Sequence, residues 1–77
     1  MDHDQALSAL HVGDLVEAIV KPADDANGWV LVFVNRSGEQ VRYSGHTGTG
    51  KVYHTLDHAT EIAQELGFRT IRVEEDF

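Results

Sequence analysis

The sequence predicts an α+β domain: a short N-terminal helix, an antiparallel β-meander, one amphipathic helix packed on a face of the sheet, and a C-terminal strand after that helix. Three stretches carry this expectation. Leu56, Ala59, Ile62, Ala63 and Leu66 recur at three- and four-residue steps, which places them on one apolar helical stripe. Trp29 to Val34 is an unbroken β-branched and aromatic run. Arg69, Ile71 and Val73 alternate with Thr70 and Arg72, the period of a strand.

Taken in chain order, a helix over roughly Gln5 to Leu10 comes first. Residues 12–21 fit two patterns. Val12, Leu15, Val16 and Ile19 make a helical stripe, whereas Val16, Ala18 and Val20 make a strand; the Val and Ile content favours the strand. Pro22 to Gly28, PADDANG, reads as a hairpin loop into the Trp29 strand. Arg36 to Glu39 makes the next turn and Gln40 to Tyr43 the next strand. Lys51 to His54 is expected as a further strand, brief and edge-like. Thr55 then caps the main helix, Asp57 complements the positive end of its dipole, and Gly67 stops it. Asp57, His58, Glu61, Gln64 and Glu65 fall on its solvent side.

The 77 residues are expected to form a single domain, 1–77. A chain of this length buries only about 60 % of the surface it exposes when unfolded, so it holds one small core and one shallow site. There is no cysteine, which rules out disulfides and thiolate metal sites. The start, MDHDQALSAL, is acidic where a signal peptide is basic, and no apolar run approaches membrane-spanning length. A cytoplasmic location is expected, with no membrane partner. Thirteen acids against six bases leave a net charge of −7. The imbalance is uneven. Between Gly28 and His54 the bases are Arg36, Arg42 and Lys51, and the only acid is Glu39.

Two stretches imitate catalytic or binding motifs. Gly45 to Lys51 has the G-x-x-x-x-G-K spacing of a phosphate-binding loop. Val52 stands where a magnesium-binding Ser or Thr is required, and the residues after Lys51 read as strand where that loop opens a helix. A structural glycine-rich loop accounts for the same residues. His54 and His58 have the spacing of a zinc-binding pair, with His46 a conceivable third ligand, but Thr55 replaces the glutamate base. No Ser–His–acid set or carboxylate pair is present to defend. The expectation is a non-enzymatic protein with no catalytic residues, no cofactor and no metal.

The Trp29 to Val34 strand is apolar on both sides, with Trp29, Leu31 and Phe33 on one and Val30, Val32 and Val34 on the other. The Leu56–Leu66 helix covers one side. The N-terminal helix is expected to cover the other; a protein partner or a second copy of the chain, as a homodimer, is the alternative. The candidate interaction face comprises Trp29, Leu31 and Phe33 together with Arg36, Arg42 and Lys51. A less favoured alternative has those bases meeting nucleic acid, with Tyr43 and Tyr53 stacking on bases.

From Leu15 to Val73 the chain resembles a group of small bacterial proteins borne on plasmids and integrative elements, some of them partition-associated. The shared features are Gly28-Trp29 opening a strand, Ser37-Gly38 in a turn, Thr55-Leu56-Asp57-x-Ala59 starting a helix, and Glu65-Leu66-Gly67 ending it. The resemblance implies an accessory role on a mobile element and carries over no catalytic residue. The strand–strand–strand–helix order is also similar to the arm-binding domains of phage-type integrases, which are basic where this chain is acidic.

Overall fold

A computed structural model describes residues 1–23, 28–45 and 52–74. Helix α1 (His3–His11) is followed by strands β1 (Leu15–Pro22), β2 (Trp29–Asn35) and β3 (Gln40–Arg42), helix α2 (Leu56–Leu66) and strand β4 (Ile71–Val73). The sheet order is β3-β2-β1-β4. β1, β2 and β3 form the antiparallel meander, and β4 runs parallel to β1. Parallel pairing requires a crossover, and α2 supplies it by carrying the chain from the β3 edge to the opposite edge. No helix among the described residues is long and apolar enough to cross a membrane.

Local chemistry sets the helix limits. Asp2 accepts from Gln5 N at 2.8 Å while Gln5 Oε1 accepts from Asp2 N at 3.0 Å, a reciprocal cap that starts α1 two residues before the expected Gln5. Thr55 Oγ1 accepts from His58 N at 3.1 Å, and Gly67, at φ +109°, closes α2 in the left-handed conformation. α2 therefore has the predicted limits, and Asp57, His58, Glu61, Gln64 and Glu65 are all exposed.

Residues 12–21 resolve as strand, with a bulge that explains their double reading. Leu15 pairs with Asn35 and Glu17 with Val34, so Val16 is an extra residue and is half exposed. Beyond the bulge, Ala18 and Val20 point to one side of the sheet and Glu17, Ile19 and Lys21 to the other. The expected Lys51–His54 strand is corrected: its described part is a single bridge, Tyr53 opposite Trp29. That bridge lies on the same edge of β2 as β3, so β3 breaks off and the chain rejoins β2 further along.

The covering of the sheet is the main departure. Ala6 of α1 shares one core with Ala59, Ala63 and Leu66 of α2, and with Ala18, Val20, Leu31 and Phe33 of the sheet. Both helices therefore lie on the same side, and α1 does not cover the Val30, Val32 and Val34 side as expected. Phe33 anchors this core, stacked on Phe68 at 4.7 Å and tilted against Tyr43 at 5.2 Å. A second, smaller cluster of Ile19, Val30 and Val32 lies on the other side, with Ala23, Val34 and Val52 packed against it.

Candidate functional site

Cross-strand partners point to the same side of a sheet, so register alone defines the helix-free face. Val32 is opposite both Ile19 and Arg42, and Ile19 is opposite Arg72. One row therefore runs Arg42, Val32, Ile19, Arg72, with an arginine at each edge and two apolar side chains between them. In neighbouring rows Lys21 is opposite Val30, and Val34 is opposite both Glu17 and Gln40.

The two edges differ electrostatically. On the β4 edge, Arg72 Nε lies 3.2 Å from Glu17 Oε1 and Arg72 Nη2 lies 3.4 Å from Glu74 Oε1. The Glu17 oxygen is sealed from solvent and accepts no well-aligned hydrogen bond, so Arg72 serves as its counter-ion. On the β3 side, Lys21 and Arg42 form no ion pair among the described residues. They flank a shallow cleft of about 370 Å³, floored by Val30 and Val32 and completed by Ala23 and Gln40. Among the described residues no acidic side chain lines it. On a chain of charge −7, this is a local cationic surface with an apolar floor.

The predicted interaction residues do not form one face. Leu31 and Phe33 are completely buried beneath the helices, and Trp29 is half-buried against the same core. No partner reaches Leu31 or Phe33 without opening that core. Arg36 is exposed in the β2–β3 turn, Arg42 is exposed on the helix-free face, and Lys51 lies outside the described residues. Most of the Gly45–Lys51 loop, His46 included, also lies outside them. His54 and His58 are exposed, and the His58 ring meets Tyr53 edge-on at 5.2 Å. Among the described residues no group of three or more His, Asp or Glu side chains is placed to hold a metal.

Tyr43 and Tyr53 are each only 3 % exposed and belong to the helix-side core. Tyr43 shares a 2.8 Å hydrogen bond with His3 Nδ1. Burial raises the Tyr43 pKa, with the Asp2 carboxylate adding to the effect. Burial likewise pushes Tyr53 up to about 12, with a smaller contribution from Tyr43. Both rings are consumed by packing and present no flat surface to a nucleic-acid base.

Sequence reading missed Lys21 and Gln40. The alternation Glu17, Ile19, Lys21 against Ala18, Val20 was available to place Lys21 on a face, but the bulge at Val16 obscured its start. That Lys21 and Arg42 share a cleft follows only from the β1–β2–β3 register.

No family model matches the chain, no curated protein matches its sequence significantly, and no solved structure matches its fold significantly.

Proposed function

We propose that the protein is a non-enzymatic accessory module that binds another protein through the helix-free face of its sheet. The observation that carries this reading is the placement of both helices on one side. The opposite side is left with a small buried cluster of Ile19, Val30 and Val32 under a charged rim, including a cleft whose two cations, Lys21 and Arg42, form no ion pair among the described residues. Ile19, Val30 and Val32 are themselves closed to solvent, so what this face offers a partner is its charged rim and the walls of the cleft between Lys21 and Arg42. Nucleic-acid contact through Arg36, Arg42 and Lys51 is less favoured, because Tyr43 and Tyr53 are buried on the helix side and the chain is acidic overall.

Photocrosslinking in the host cell tests the assignment. A benzophenone amino acid is placed at Gln40, exposed on the helix-free face, and in parallel at Glu61, exposed on α2. Light-dependent protein adducts from position 40 and none from position 61 are expected. An adduct of twice the chain's mass identifies a second copy as the partner. Adducts from position 61 alone, or adducts from position 40 that nuclease removes, overturn the reading.

A further inference from the structure

We infer that the cleft between Lys21 and Arg42 recognises an extended acidic segment of the partner, with carboxylates four residues apart and an apolar side chain midway. This rests on the helix-free face being the binding surface and goes further by naming the chemistry of what binds there.

The spacing follows from the register. Lys21 is opposite Val30 and Arg42 is opposite Val32, on either side of β2. Two strand spacings across and two residues along place the two Cα atoms about 12 Å apart. The line between them passes over Val30 and Val32, which form the cleft floor. In an extended segment, residues i, i+2 and i+4 share a side, and i to i+4 spans about 13 Å. Carboxylates at i and i+4 therefore meet the Lys21 ammonium and the Arg42 guanidinium, while the side chain at i+2 covers what solvent still reaches of Val30 and Val32, 5 % of each, beside Pro22 and Ala23. Arg42 offers a planar fork to one carboxylate and Lys21 a mobile point charge to the other. Neither cation has a competing acidic partner among the described residues, unlike Arg72, which Glu17 and Glu74 hold. The molecule's own charge supports selectivity, since an acidic segment landing on the exposed acids of α2 is repelled, whereas the cleft sets two cations side by side.

The probes are acetylated, amidated heptapeptides titrated into the labelled full chain and followed by amide chemical shifts. The acidic probe is TESVSET; its companions are TQSVSQT and TKSVSKT. TESVSET is expected to move the amides of Lys21, Val30, Val32 and Arg42, to weaken with salt, and to bind at least about tenfold more tightly than TQSVSQT, because two charge-assisted contacts are lost in the latter. The double charge reversal Lys21→Glu with Arg42→Glu, checked for retained spectral dispersion, is expected to lose TESVSET and accept TKSVSKT. If that variant fails to fold, Lys21→Gln with Arg42→Gln gives the same loss without the swap. Equal binding of TESVSET and TQSVSQT in the cleft overturns the acidic specificity but leaves the face as a binding surface. Peptide shifts confined to α2, or no shift with any peptide, overturn the proposal. Shifts in the cleft with a short oligothymidylate and none with TESVSET overturn it in favour of nucleic acid. The photocrosslinks from Gln40 decide separately whether the face binds protein at all.

Discussion

Trp29 and Tyr53 exchange a pair of backbone hydrogen bonds, Trp29 N to Tyr53 O at 2.8 Å and Tyr53 N to Trp29 O at 2.7 Å. The two residues are distant in sequence, and between them the chain makes the rest of β2, all of β3 and the excursion back. The bridge brings Val52 onto the small helix-free cluster and Tyr53 into the main core, so it connects the two sides of the sheet.

Gly28 permits this bridge. Its φ is +152°, and a Cβ there would stand 2.6 Å from both Tyr53 O and Val52 Cγ1. One of the two contacts is backbone, which cannot turn aside. Gly28→Ala is expected to cost about 1–3 kcal/mol in urea unfolding. It should also remove the hydrogen-exchange protection of the Trp29 and Tyr53 amides before that of the β1–β2 pairs. Unchanged protection at Trp29 would refute the close approach.

Phe33 is completely buried between Phe68 and Tyr43. Phe33→Ala is expected to cost about 3–5 kcal/mol. A domain of this size has a total stability of only about 4–12 kcal/mol, so the variant should be partly or largely unfolded at room temperature by circular dichroism. A loss below about 1 kcal/mol would mean that the core rearranges around the cavity.

The helix caps are separate devices at separate sites. Thr55→Ala removes the acceptor for His58 N, and Asp2→Ala removes the acceptor for Gln5 N. Each is expected to cost about 1 kcal/mol, and the double variant about the sum, in chemical denaturation. A marked departure from additivity would show that α1 and α2 are coupled more tightly than their shared core suggests.

The chain has two tyrosines, and both are buried with raised pKa values. The folded state holds the Tyr53 proton up to about pH 12, whereas an unfolded tyrosine releases it near 10.0. Between those values the unfolded state binds fewer protons, so stability falls as pH rises. Below about pH 10 this contribution is fully present. Tyrosinate absorbance should therefore appear together with unfolding, and Tyr53→Phe should flatten the alkaline decline. Tyrosinate absorbance rising near pH 10 in the still-folded chain would count against the burial of both rings.

Much of the fold is local and therefore legible in the sequence. The stripe from Leu56 to Leu66 needs no partner to be read, because Thr55 and Gly67 act on their own helix ends. The Trp29 strand and the Arg36–Glu39 turn are local in the same sense. α1 was legible too, since Asp2 and Gln5 have capping-box spacing, although its start was placed late. The sequence by itself thus determined α2 with its two ends, the β2 strand and the turn after it, that β2 is apolar on both sides, and that the middle of an acidic chain is basic.

Tertiary structure alone decided the rest. A strand's period tells which side chains share a side but not which side a helix will choose, so α1 could join α2 and leave Val30, Val32 and Val34 without a helix. That Tyr53 reaches Trp29 depended on Gly28, where a Cβ would collide with Tyr53 O. Lys21 and Arg42 are far apart in sequence and share no motif. They face one cleft because three strands lie in one register, and register is set by the burial of whole faces rather than by any short run of residues.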